Sequence, residues 1–289
     1  MANAHPEVLG AVDPRQLTEA RLRAHHAAQW LARVAIGLIA PKEDHSHTNL
    51  GWLAGQNSFE THDFAGAWRL RLCVPDLALS LRESGSEASS LALAGKTDGD
   101  IKTWLGDQLT GAGVDPAKVF EPLPYVMPAH GVEGGAAYAT DDVGRELAQV
   151  AAWFGLADAL LGRVREAHSD ITPGPSPVRT WPHHFDLATL ISLDSGDPEN
   201  ARSVGAGFSP GDEHYDEPYF YVTPWPYPET TELPDLTGIG HWHTEGFVAA
   251  IATGTRIVAE RDGEGAVGAF LEAAVSGCLR LLSPGGPAE

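Results

Sequence analysis

The first forty residues carry an apolar stripe that repeats every three or four positions, as in an amphipathic helix. The stripe begins after Asp13, a residue type that caps helices, and ends before Pro41, whose ring cannot follow a helical residue. His25 and His26 lie off the main stripe. The spacing therefore predicts one long helix on which these two histidines are exposed to solvent.

Further along the chain, helical and strand patterns alternate. Long stripes begin near Thr140 and near Gly265, and a shorter one follows a capping pattern at Thr97. Between Lys42 and Thr97 the period changes from 3.6 to 2, and apolar and other residues alternate from Trp68 to Val74, which is typical of a half-buried strand. Later strand-like runs cover residues 178–193, 203–208, 218–223 and 243–258.

The order of long helix, strands and short helix occurs twice, which predicts an α+β fold with antiparallel β layers covered by helices. Residues 47–53 and 184–190 are identical at three of seven positions and fall in the same place of each half. That repetition favours an internal duplication. We expect a single compact unit over residues 1–289, with pseudo-repeat halves at 13–113 and 140–283.

Composition and charge argue against nucleic-acid-binding and membrane-associated functions. Lys and Arg number 19 against 39 Asp and Glu, a net charge of −20, which repels nucleic acid and anionic lipid. No run approaches the roughly 20 apolar residues of a membrane span, and residues 1–10 lack the pattern of a signal peptide. Cys73 and Cys278 lie in apolar contexts that suit a reducing compartment. We therefore expect a cytoplasmic protein without nucleic-acid or membrane partners, and its oligomeric state stays open.

Histidines cluster beside carboxylates, and this is the main indication of chemistry. Residues two apart on a strand project to the same side, with Cα atoms about 6.5–7 Å apart. His241, His243 and Glu245 would thus form one row, and His184 and Asp186 would form another. Two such rows that face each other would make one shared site.

That site has three interpretations. His184, His241, His243 and Glu245 could ligate a divalent metal such as Zn, Mn or Fe. Without a metal, imidazole beside carboxylate is an acid–base pair, which predicts an enzyme acting on a small polar molecule with His184, Asp186, His243 and Glu245 as catalytic residues. In the third interpretation, the protein is a non-catalytic binding or structural protein and the histidines are hydrogen-bonded core residues.

Aromatic residues are dense between positions 215 and 227 and alternate with prolines. On a strand, one aromatic row packs inward and the other needs a partner or a ligand. This predicts a small-molecule ligand bound by Tyr219, Tyr221, Trp225, Glu213, Glu217 and His47. The alternative is an edge strand that prolines protect from pairing.

The segment GFSPG at 207–211 matches the G-x-S-x-G pattern of hydrolase nucleophile elbows. In such an elbow, the residue after the serine donates its backbone N–H to an oxyanion and begins a helix. That residue is Pro210 here, which has no N–H to donate. The elbow is therefore rejected.

Several blocks together resemble an uncharacterised bacterial family of about 300 residues. The blocks are DHSHTNLGW (44–52), SPVRTWPHHFDL (176–187), GFSPGDE (207–213), EPYFYV (217–222) with PWP (224–226), and HWHTEG (241–246). The chain is also distantly similar to a broader domain-of-unknown-function family. The resemblance spans nearly the whole chain and supports its treatment as one unit, but it implies no activity, cofactor or catalytic residue.

Overall fold

A computed structural model describes residues 9–196, 200–236 and 238–283. The start of the chain, on which part of the localisation prediction depends, lies largely outside these ranges. In the described residues, the helices are α1 (Thr18–Leu38), α2 (Asp98–Gly111), α3 (Gly144–Ala167), α4 (Gly254–Ala259) and α5 (Gly263–Leu281). The strands are β1 (Gly51–Leu53), β2 (Ser58–Glu60), β3 (Trp68–Cys73), β4 (Ala78–Glu83), β5 (Ser86–Ala92), β6 (Gly174–Pro175), β7 (Arg179–Trp181), β8 (Asp186–Ser192), β9 (Ser203–Ser209), β10 (Tyr219–Trp225), β11 (His241–His243) and β12 (Ala249–Thr253).

The strands form antiparallel sheets, which confirms the α+β class. The five-stranded sheet has the order β1-β2-β3-β4-β5. The seven-stranded sheet has the order β11-β12-β10-β9-β8-β6, and β7 pairs with β8.

The chain divides into two compact units. Of the described residues, the first unit comprises 9–12, 16–152 and 180–185, and the second comprises 13–15, 153–179, 186–196, 200–236 and 238–283. These boundaries differ from those of the predicted halves, 13–113 and 140–283. The division tests neither the internal duplication nor the organisation of the chain as one unit, so both stay predictions.

In the first unit, the alternation predicted for β3 is confirmed by the register. Leu70 faces Leu81 of β4 and Leu72 faces Leu79, and all four side chains are at most 1% exposed. Arg71 points to the other side and pairs with Glu60 of β2 at 2.6 Å. The strand thus has one apolar and one charged face, as a period of two requires.

Helix α1 differs from its prediction in two ways. It begins at Thr18, because residues 14–16 form a separate 3₁₀ turn in which Asp13 accepts the N–H of Arg15. His25 and His26 are only 5% and 7% exposed, so the prediction that they are solvent-exposed is wrong. Loop carbonyls cover this side of the helix, and the helical period of α1 cannot reveal them.

The predicted cap of α2 is confirmed. The Thr97 hydroxyl accepts the N–H of Asp100, and the Asp100 carboxylate accepts the N–H of Thr97, a reciprocal capping box. We expect Thr97→Ala to lower the free energy of unfolding by about 1 kcal/mol, because it leaves helix N–H groups without an acceptor. Thr110→Ala in the same helix is the control, and equal losses in urea unfolding would contradict the cap.

The run 243–258 is only partly a strand. β12 ends at Thr253, and α4 follows where a continuous strand is predicted. The carboxylate of Glu217 accepts the N–H of Thr255 at 2.5 Å in the first turn of this helix. A tertiary contact therefore stabilises a helix that the local apolar pattern does not indicate.

Among the described residues, only α3 is long and apolar enough to be considered as a membrane span. More than half of its apolar window is buried inside the protein. The core helix of a soluble protein has the same properties. The finding is consistent with a soluble protein, and the cytoplasmic location stays a prediction.

Candidate functional site

A group of titratable side chains shares one face of the seven-stranded sheet. The register places Tyr221 opposite Gly207 on one side and Ile251 on the other, and Ile251 opposite His241. Directly opposed residues point to the same side of a sheet, as do residues two apart along a strand. The titratable side chains on this face are therefore those of Asp186, Tyr219, Tyr221, His241 and His243.

The other face of this sheet is apolar. Phe208 and Phe220 are fully buried there, and the Phe208 ring contacts Trp153 and Phe154 of α3 at 6.2 Å and 5.3 Å between centroids. Because neighbouring side chains along β10 point to opposite faces, Phe220 packs inward on the apolar face, whereas Tyr219 and Tyr221 lie on the polar face.

A glycine lets one tyrosine cross the sheet. Tyr221 of β10 extends over Gly207 of β9, and its hydroxyl donates to Asp186 of β8 at 2.5 Å. A Cβ atom at position 207 would overlap the hydroxyl end of the Tyr221 ring. Only glycine leaves room for this tyrosine–carboxylate pair.

The loop between β9 and β10 is tied together by one carboxylate. Asp212 Oδ1 accepts the N–H groups of His214 and Tyr215 at 2.8 and 3.1 Å. Its other oxygen accepts the Tyr219 hydroxyl at 2.5 Å. Gly211, at φ +113°, makes the turn that precedes it. These hydrogen bonds of Asp212 thereby fix the position of the Tyr215 backbone.

The Tyr215 hydroxyl lies between two imidazoles. It is 3.0 Å from His243 Nδ1 and 3.3 Å from His241 Nε2. His243 Nε2 lies 2.8 Å from the carbonyl oxygen of Glu245, which can only accept, so this nitrogen carries the proton of the neutral ring. Nδ1 of His243 is then an acceptor and receives the Tyr215 proton. The hydrogen bonds therefore run from His241 to Tyr215 to His243 to the Glu245 carbonyl.

Burial sets the protonation states of this group. It raises the pKa of Tyr215, Tyr219 and Tyr221, and the carboxylates of Asp212 and Asp186 raise it further. Burial also lowers the pKa of His241, with a smaller effect from the Arg256 guanidinium. The phenols are thus protonated and His241 is neutral at pH 7.

The structure does not form the two predicted rows. β11 ends at His243, and Glu245 lies beyond it in a bend, where it offers its backbone carbonyl. His184 lies in a turn, and Phe185, at φ +60°, separates it from Asp186, the first residue of β8. The left-handed Phe185 interrupts the two-residue repeat between His184 and Asp186, and the end of β11 interrupts it between His243 and Glu245. Only His241 and His243 share a strand face.

Two of the predicted site residues, His184 and His47, belong to the first unit. His184 is exposed, with its ring 4.1 Å from that of His183. His47 is 6% exposed, and its Nδ1 accepts the N–H of Lys42 at 3.1 Å. Asp186, His241, His243 and Glu245 belong to the second unit. Within that unit, the structure brings His241 and His243 to Tyr215, and Asp186 to Tyr221.

In the described ranges, no group of three or more His, Cys, Asp or Glu side chains is placed to hold a metal ion. The predicted ligand set of His184, His241, His243 and Glu245 therefore has no geometric support. His241 and His243 do converge, but on a phenol, and Glu245 contributes a backbone oxygen.

The predicted substrate-binding residues separate into three kinds. Tyr219 and Tyr221 belong to the polar face and hydrogen-bond to carboxylates. The Glu217 carboxylate accepts hydrogen bonds from the N–H and the hydroxyl of Thr255. Glu213 is exposed to solvent. Trp225 is 38% exposed and its ring packs edge-on against Tyr227.

The central member of the group, Tyr215, is absent from the predicted site residues, as is Asp212. Both lie in a loop rich in acidic residues. A local signal was nevertheless present, since an aspartate in a turn commonly accepts the backbone N–H two residues further along, as Asp212 does from His214.

Comparison of the chain with protein-family models, with curated proteins and with solved structures gives no match. The resemblance to the bacterial family therefore stays a prediction.

Proposed function

We propose that this protein is an enzyme that acts on a small polar molecule by proton transfer at Tyr215. The supporting observation is the position of its hydroxyl between His241 Nε2 and His243 Nδ1. A hydroxyl that donates to an imidazole, which is itself oriented by a third group, has the geometry of a hydroxyl–imidazole catalytic pair. Because burial raises the pKa of Tyr215, its oxygen acts as a base only when the imidazole takes the phenol proton. Here the third group is the Glu245 carbonyl.

Each member has a distinct role in this proposal. His243 Nδ1 takes the Tyr215 proton and becomes an imidazolium, whose Nε2–H still donates to the Glu245 carbonyl. The phenolate oxygen keeps the hydrogen bond from His241 Nε2–H and accepts a proton from the substrate. His243 returns its proton to the altered substrate in a later step, so the number of protons is conserved. Asp186 and Asp212 hold Tyr221 and Tyr219 beside this group.

The proposal is tested by measuring turnover of a panel of small esters, amides, hydroxy acids and keto acids. Removal of a positioned acid–base group lowers rates by about 100-fold or more, so Tyr215→Phe and His243→Gln should each do so. Tyr227→Phe changes an exposed tyrosine in the same way and is the matched control. Turnover that survives in Tyr215→Phe at the wild-type rate would contradict the proposal.

A second candidate is the non-catalytic binding or structural protein. It is favoured by the packing of Tyr215, Tyr221 and Phe247 against the buried Tyr219, Ala249 and Ile251. In that case Tyr215→Phe would lower stability by about 1 kcal/mol, the net value of a hydrogen bond, and no compound in the panel would be turned over.

A further inference from the structure

An open cavity of about 550 Å³ is lined by residues of the first unit, and none of them is a residue of the proposed active site. Its sheet side is formed by Trp68 of β3 and by Leu81 and Glu83 of β4. Its other side is formed by Asp107 and Gln108 in the last turns of α2. The volume suits a small organic molecule.

Strand register fixes an aromatic ring beside a carboxylate in this cavity. Trp68 lies directly opposite Glu83, so both side chains project to the same side of the sheet. Leu70 and Leu81 are the next pair on that side and are buried. The sheet side of the cavity therefore presents an indole and a carboxylate next to the apolar Leu81.

The electrostatics of the cavity favour a cation. It is lined by the carboxylates of Glu83 and Asp107, and no basic side chain lines it. Within the ranges that the structure describes, neither carboxylate has a hydrogen-bond or ion-pair partner. The 14-residue helix α2 ends at Gly111, which also lines the cavity, and a helix C-terminus carries partial negative charge.

We infer that this cavity binds a small organic ammonium ion. Trp68 presents an aromatic ring to the cation, since ammonium groups are attracted to the face of an indole. Glu83 and Asp107 neutralise the charge, and Leu81 contacts the carbon chain. An aromatic and aliphatic lining suits a carbon-bearing cation better than a metal ion, which requires several oxygen ligands in contact with it.

Calorimetric titration of the full chain with putrescine tests this inference. Putrescine should bind saturably, and butane-1,4-diol, its neutral counterpart of the same length, should not. Trp68→Leu should weaken putrescine binding about tenfold through loss of the cation–π contact. Asp107→Asn, an exposed change that leaves the fold intact, should weaken it about two- to fivefold.

Glu272→Gln is the control, because it removes one exposed negative charge from α5, outside the cavity. This control distinguishes binding of putrescine at the cavity from nonspecific attraction of a cation to a chain of net charge −20. Equal weakening by Glu272→Gln and Asp107→Asn would overturn the inference, as would equal binding of the diol or the absence of putrescine binding. The test is independent of turnover at Tyr215, so either proposal can fail alone.

Discussion

Gly207→Ala should lower the free energy of unfolding by about 4 kcal/mol, the largest effect that we expect from a single methyl group. The added Cβ would overlap the ring of Tyr221, which crosses β9 at this point. Either the strands separate or the ring leaves, and in the second case Asp186 loses the hydroxyl that donates to it at 2.5 Å. The first outcome costs the packing and pairing of β9 and β10, and the second costs the packing of the Tyr221 ring together with its hydrogen bond to a carboxylate.

Urea unfolding followed by tryptophan fluorescence measures this loss, and Gly155→Ala in α3 is the matched control. No atom lies within 4 Å of a Cβ built at Gly155, so alanine should leave stability unchanged or raise it by about 0.5–1 kcal/mol. In the double variant Gly207→Ala/Tyr221→Ala, the costs should fall short of additivity by at least about 1 kcal/mol. Additive costs, or a neutral Gly207→Ala, would contradict the crossing of β9 by Tyr221.

The second large effect is acid destabilisation through His25. Burial lowers its pKa to about 3, and the hydrogen bond to the Pro182 carbonyl only partly offsets this. The unfolded chain has a histidine pKa near 6.5, so between pH 6.5 and pH 3 it binds a proton that the folded protein does not. Stability therefore falls as the pH falls through this window. The contribution is about 2 kcal/mol between pH 7 and pH 5, and about 3 kcal/mol by pH 4.

His25→Gln isolates this contribution. The amide keeps an N–H for the Pro182 carbonyl but does not titrate, so stability should decrease less between pH 7 and pH 4 than in the wild type, by about 3 kcal/mol. The difference between the two proteins at pH 8, where both side chains are neutral, measures the cost of the substitution itself. Identical pH dependence would show that His25 is accessible to solvent, as the sequence pattern predicts.

The sequence predicts most elements because periodicity reports which side of each element is apolar. The alternation at Leu70 and Leu72 and the cap at Thr97 depend on local chemistry, and both are confirmed. The wrong predictions involve contacts between distant residues. His25 is covered by the loop at Pro182, and α4 is stabilised by Glu217, neither of which a local pattern contains.

Only part of the site is predicted from the sequence, because strand spacing is a local pattern and the other contacts join distant residues. Strand spacing identifies His241 and His243 as neighbours on one side, and the register confirms this. The strand-spacing prediction is wrong for Glu245, because the strand ends at His243. It is also wrong for His184, because Phe185 adopts a left-handed conformation. Tyr215 joins the group only through a loop that Asp212 closes, so its role depends on tertiary structure.

The most direct test of the account is the tautomeric state of His241 and His243, measured from ¹⁵N chemical shifts and long-range proton–nitrogen couplings at pH 7. We predict that both rings carry their proton on Nε2, and that Tyr215→Phe changes the ¹⁵N shift of His243 Nδ1 by removing the donor to it. A proton on Nδ1 of His243, or shifts that do not respond to Tyr215→Phe, would contradict the hydrogen-bonded chain on which the proposed proton transfer depends.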